Sequence, residues 1–170
     1  MSMNTTVEKL AGRPVAFGVT DFKTATSMSG IEFLQAMMSG KYPAPPICET
    51  LDFILVEAAP GRAVFEGLPS DRFRNPLGTV HGGWMSTLLD SALGCAVHAT
   101  LKAGHGFTTV DLAVSFVRAV HQSTGKLRCE AKVIHSGARI ATAEARLVDV
   151  EGKLYAHGTT TCLIMPISAN

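Results

Sequence analysis

The chain has 170 residues, 46% of them apolar and 17% charged, with a formal net charge of +1. A chain of this length suits one domain with a core of its own, and so small a net charge offers no electrostatic basis for binding nucleic acid or an acidic membrane. The four cysteines, Cys48, Cys95, Cys129 and Cys162, are scattered without a C-x-x-C pair. They read as small apolar filler in a reduced compartment, and the cytoplasm is expected. No secretory leader pattern opens the chain, and the most apolar helical stretch, Trp84 to Leu101, is broken by Asp90 and His98. No membrane span is expected.

Residues 1–28 show weak periodicity and read as an irregular N-terminal arm, with residues 29–170 as the single folded domain. Ser29 and Glu32 match a capping box, in which each residue satisfies a free backbone N–H of the other. Ile31, Leu34, Met37 and Met38 then form a helical stripe that Gly40 closes. The segment Pro43-Ala44-Pro45-Pro46 reads as a linker. Two strands follow, around Glu49–Ala58 and Arg62–Gly67, joined by a turn at Pro60-Gly61. Residues Pro69–Val80, rich in turn formers, read as a loop.

The spacing next predicts a long helix over His81–Leu101. Trp84, Leu88, Ala92 and Ala96 form one i+4 row, and Met85, Leu89, Leu93, Val97 and Leu101 form the next. So broad an apolar face belongs to a largely buried helix. Period-2 segments fill the remainder. Val110, Leu112, Val114 and Phe116 alternate in the first, Leu127, Cys129, Ala131 and Val133 in the second, and Ala141, Ala143, Ala145 and Leu147 in the third. Turns at Ser136-Gly137 and Glu151-Gly152 separate them, and Leu154–Ile164 is the last strand. Charge on the opposite face of the second and third segments indicates an antiparallel sheet with one wet side. The class is α+β, a long central helix against an antiparallel sheet, with a short N-terminal helix. One helix cannot cover a strongly curved sheet, so a free edge is expected to pair with a second subunit.

Asp90 sits mid-helix among apolar residues, and its neighbours Ser86, Thr87, Leu93 and Gly94 include no cation. A buried, unpaired carboxylate is costly, which marks Asp90 for chemistry unless its strip faces water. His81-Gly82-Gly83 opens the same helix, whose free N–H groups and positive end suit a carbonyl oxygen that gains charge. A plain glycine-rich turn capped by His81 accounts for the triplet equally well. His81 and Asp90 are nine residues apart, about 13 Å along a helix. One substrate atom therefore meets Asp90 of one subunit and Gly82 of another more easily than both in one chain. The histidines lack ligand spacing, so no metal is expected.

The run from Asn75 through His81-Gly82-Gly83 to Asp90 resembles the signature of hotdog-fold acyl-CoA thioesterases of the phenylacetate-degradation (PaaI-like) type, in the 4-hydroxybenzoyl-CoA thioesterase superfamily. Thr108-Thr109-Val110-Asp111-Leu112, Gly137-x-Arg139 and Ala141-Thr142-Ala143-Glu144 resemble the later family segments, so that the likeness spans roughly Pro46 to Met165. The resemblance implies a long helix wrapped by a curved sheet, paired into a homodimer and, as a dimer of dimers, a homotetramer. It implies acyl-CoA hydrolysis without a metal or organic cofactor. Asp90 would activate water or attack the thioester, Gly82 N–H would hold its oxygen, Asn75 would orient the carbonyl or water, His81 would order the helix start, and Thr109 would position the water. Thr108 is the adjacent choice in that strand. Gly83 and Gly137 would contact substrate or CoA, and cations should rim the entrance for the CoA phosphates, Arg139 first with Arg118 and Lys126 behind it, unless these are ordinary solvated surface charges. Trp84, Met85, Leu88 and Phe116 would line an acyl pocket or simply pack the core. Two other readings remain: a hotdog hydratase or dehydratase acting on acyl-CoA or acyl carrier protein, and a non-catalytic acyl-CoA sensor.

Overall fold

The computed structural model of the protein describes residues 5–167. Four short helices come first: α1 (Thr5–Ala11), α2 (Phe22–Thr26), α3 (Gly30–Met38) and α4 (Pro46–Leu51). Then follow β1 (Phe53–Ala59), β2 (Arg62–Gly67), the long helix α5 (Gly82–His98), and β3 (His105–Phe116), β4 (Leu127–Ser136), β5 (Ile140–Asp149) and β6 (Leu154–Pro166). The six strands form one antiparallel sheet in the order β1-β2-β4-β5-β6-β3. The sheet wraps around α5, which packs against all six strands. This is the hotdog arrangement expected from the sequence.

Inward alternation on the sheet explains how a helix can lie so close. Ala131, Ala141, Ala143, Ala145 and Ala156 are all buried at 3% exposure or less beneath α5, and so small an inner surface lets the helix backbone approach. The helix answers with Leu88, Leu89, Ala92, Leu93, Ala96 and Val97, all fully buried. Trp84, Met85 and Leu88 are buried in this core.

Three local expectations are revised. The segment before Ser29 is not wholly irregular: it holds α1 and α2, and Val7 is fully buried against the core. Pro46 does not end a linker but opens α4, where proline's fixed φ and missing N–H suit the first helical position. β1 therefore starts at Phe53, after Asp52 takes a left-handed cap conformation with φ 53°. In β3 the register shifts between Thr109 and Asp111, so Val110 bulges out at 62% exposure instead of pointing inward. By contrast, the Ser29–Glu32 capping box forms as expected.

The two sheet edges differ. β1 packs against the chain's own α1, α3 and α4. β3 pairs with β6 on one side, and no strand of the described residues pairs with its other side. Between the edges one side of α5, containing Ser86, Thr87, Asp90 and Ser91, is only half-buried.

Candidate active site

Asp90 lies on that half-buried side, halfway along α5. Thr109 Oγ1 donates a hydrogen bond of 3.1 Å to Asp90 Oδ1. The bulge at Val110 places Thr109 opposite the inward, fully buried Cys162, and bulges commonly re-aim side chains in this way. Thr108 pairs with Leu163 on the other face of the sheet and is exposed. Of the two adjacent threonines, only Thr109 is brought to the carboxylate. The neighbouring hydroxyls of Thr87 and Ser91 donate back to helix carbonyls, to Gly83 O and Thr87 O at 2.8 Å each.

The second group forms at the start of α5. His81 caps the helix, its Nδ1 accepting from Gly83 N at 2.8 Å. Its own N–H donates to Phe73 O at 2.7 Å, tying the helix start to the preceding loop. The Gly83 N–H is thereby occupied, whereas among the described residues no protein acceptor meets the Gly82 N–H. A Cβ at Gly82 would lie 3.1 Å from the Phe116 ring, so glycine lets that aromatic edge sit against the helix terminus. The Gly82 amide is a free donor at the positive end of a helix of 17 residues.

Gly82, Asn75 and Arg118 line one open cleft together with Phe116. The Asn75 side chain knits its own turn: Nδ2 donates to Thr79 Oγ1 at 2.8 Å, and Oδ1 accepts from Leu77 N at 2.9 Å. Arg118 lies over the Tyr155 ring and donates from Nε to Leu154 O. Gly137 lies elsewhere, in a groove at the C-terminal end of α5 with Thr100, Lys102, His105 and Ser136. Arg139 is exposed beside it, its carbonyl accepting from Ile164 N. The expected CoA-contacting residues thus fall at opposite ends of the helix within one chain. Lys126 is committed to Glu66 at 2.9 Å. Sequence patterning offered no signal for Lys102 and His105, which the fold places next to Gly137.

About 12 Å of helix separates Gly82 from Asp90, so one chain presents a carboxylate and a free amide that cannot reach the same small group. Among the described residues no cluster of three His, Cys, Asp or Glu side chains could hold a metal ion, and no helix is long and apolar enough to cross a membrane.

The family model of the thioesterase superfamily matches residues 77–156, a span that includes Gly82, Asp90 and Thr109. Mouse acyl-coenzyme A thioesterase 13 is 28% identical over 130 residues, covering 75% of this chain and 91% of the relative. The human protein of the same name is 30% identical over 108 residues, covering 63% of this chain and 76% of the relative. Among solved structures, a phenylacetic acid degradation-related protein from Ralstonia eutropha JMP134 superposes with a TM-score of 0.70 at 30% identity, covering 76% of this chain and 98% of that one. The PaaI protein of the Escherichia coli phenylacetic acid degradation operon shares the fold at 20% identity, with a TM-score of 0.65 over 72% of this chain and 88% of its own.

Proposed function

For a chain that belongs to the thioesterase superfamily and is a thioesterase, we propose that the reaction is hydrolysis of an acyl-CoA to free acid and CoA, with Asp90 as the reacting carboxylate. The observation that carries this reading is the half-buried Asp90, held by Thr109 and paired with no cation among the described residues. As general base, Asp90 takes a proton from water as the water oxygen adds to the thioester carbon. Negative charge then develops on the carbonyl oxygen, and the free Gly82 N–H supplies a donor for it. The C–S bond breaks, CoA leaves as its thiolate, and the acid remains. As nucleophile, Asp90 instead forms a mixed anhydride that water opens. Trapping an acyl-enzyme in rapid-quench experiments separates the two routes. Neither route needs a metal or organic cofactor.

Because 12 Å divides the two groups in one chain, we place the working site across a homodimer. The unpaired edge of β3 meets its own copy antiparallel, bringing Gly82, Asn75 and Arg118 of one subunit toward Asp90 of the other. The same crossing brings the Arg118 cleft and the Gly137–Arg139 corner together around CoA. A dimer of such dimers is the larger assembly that the resemblance implies. The hydratase reading is less well supported, because His81 is committed to capping α5.

The test is release of free CoA thiol from a panel of acyl-CoAs by wild type and Asp90→Asn. Wild type should turn over, and the variant should lose roughly 10²–10⁴-fold in kcat, the usual worth of a positioned acid or base, with its thermal transition unchanged. An Asp90→Asn protein with full activity would sink the assignment. Binding of acyl-CoA without turnover by wild type would favour the sensor.

A further inference from the structure

The loop that leads into α5 is clamped by residues that touch no reacting atom. Arg72 and Phe73 lie in its short helical turn, Asp71–Phe73. Arg72 Nη2 donates to Asp52 Oδ2 at 2.7 Å, and the Asp52 carboxylate is buried, with 6% of its side chain exposed. Asp52 is also the one non-glycine among the described residues with a positive φ, at 53°, a costly conformation for a residue that carries a Cβ. From this pair a circuit of contacts runs to the helix and back. The Arg72 guanidinium lies 5.2 Å from the centre of the Phe73 ring, and that ring stacks on Trp84 at 6.0 Å and 18°. Trp84 Nε1 then donates to Leu51 O at 2.8 Å, beside Asp52. What the circuit holds in place is Phe73, whose carbonyl oxygen accepts from His81 N at 2.7 Å. His81 in turn caps Gly83 and leaves the Gly82 N–H free. Leu51, Asp52, Arg72 and Phe73 all precede residues 77–156, the span of the family model.

We propose that Arg72 and Asp52 are positioning residues for the thioester oxygen: their ion pair sets where Phe73 O holds His81, and thereby where the Gly82 amide points. This rests on the reading of Gly82 as the donor to that oxygen. Such a donor works only if it is held about 2.7–3.1 Å from the place the oxyanion will occupy. Negative charge builds on the oxygen in the transition state, so a donor out of place costs turnover more than it costs binding. A second ion pair on the same turn, Arg74 with Asp71, is about half exposed at both partners and does not enter the circuit. Exposed pairs of that kind contribute little, which makes it the control.

The experiment is steady-state hydrolysis of one acyl-CoA by wild type, Arg72→Met, Arg72→Lys, Asp52→Asn and Arg74→Met, with Trp84 fluorescence recorded in parallel. Trp84 is the only tryptophan in the chain, so the emission reports on the clamp itself. The Arg72 side chain is 63% exposed, and Asp52→Asn keeps its shape, so these variants should fold; melting curves fix an assay temperature below every transition. Arg72→Met and Asp52→Asn should each lower kcat about tenfold with KM nearly unchanged, a part of the roughly 10²–10³-fold that loss of an oxyanion donor costs. Their Trp84 emission should shift to the red as the stack on Phe73 loosens. Arg72→Lys, which keeps the charge, should recover much of the loss, and Arg74→Met should match wild type. Folded Arg72→Met and Asp52→Asn proteins with wild-type kcat would overturn the positioning role and leave the thioesterase reading intact. Equal losses in Arg72→Met and Arg74→Met, or a change confined to KM, would overturn it too. No turnover by wild type would overturn both.

Discussion

The contact between Thr109 and Asp90 is a single hydrogen bond to a charged group, and such bonds are worth about 1.5–3 kcal/mol. Thr109→Val should therefore lower kcat roughly 10- to 100-fold, whereas Thr109→Ser, which keeps the hydroxyl, should recover most of the loss. Steady-state kinetics on one acyl-CoA decides it, and equal loss in both variants would make Thr109 a packing residue only. His98, at the end of α5, is a second informative residue. Its ring lies 5.8 Å from Phe33 and 5.6 Å from Phe107, centroid to centroid, and burial lowers its pKa from the usual 6.5. The folded state then binds fewer protons than the unfolded state between its own pKa and 6.5. Stability is fully present above 6.5 and falls as pH drops through that window. Melting temperatures measured from pH 7.5 to 5 should decline, and His98→Phe should flatten that part of the curve.

At the scale of elements, the close approach of α5 to the sheet depends on the alanine row. Ala143 is fully buried under the helix, while Thr142 faces the other side of β5 and is half-buried. Ala143→Leu forces extra methylenes into a filled layer and should cost about 1–3 kcal/mol. Thr142→Leu should change stability much less. Urea denaturation of the two variants tests this, and equal effects would mean that the helix does not rest on that row. The alternation of Ala141, Ala143, Ala145 and Leu147 made this element legible from sequence, because a strand that is wet on one side must write its facing into period 2. The bulge at Val110 was not legible. A one-residue insertion in the pairing leaves an alternating sequence unaltered, and the register is set by the partner strand β6. The short helices α1, α2 and α4 escaped for another reason: isolated helices of five to seven residues have little stability of their own, so their existence is a property of what they pack on.

For the whole molecule, the two terminal strands of the sheet differ: β1 has the N-terminal helices packed on it, and β3 does not. Strand β3, which carries Thr109 beside Asp90, is the edge at which a second copy would join. If the site spans that junction, two separately inactive variants should complement. Asp90→Asn and Gly82→Pro subunits, mixed and reassociated, place one intact Asp90 opposite one intact Gly82 in each heterodimer. With random pairing, about a quarter of wild-type activity should return. A mixture that stays inactive, although sedimentation shows mixed dimers, would put the whole site within one chain.

The sequence by itself determined the long buried helix, the antiparallel sheet and the isolated carboxylate at Asp90. Each is a local consequence of periodicity or of the cost of burying charge. It also marked Gly82 as a helix-start amide, since a His-Gly-Gly triplet before an apolar helix can be read from order alone. Only the tertiary structure chose Thr109 over Thr108, because facing depends on cross-strand register. Only it showed that Asn75 is bound up in its own turn and that Arg118 and Arg139 lie at opposite ends of α5. Those relations join residues distant in the chain, and the forces that set them, packing and strand pairing, act between elements that no local pattern relates.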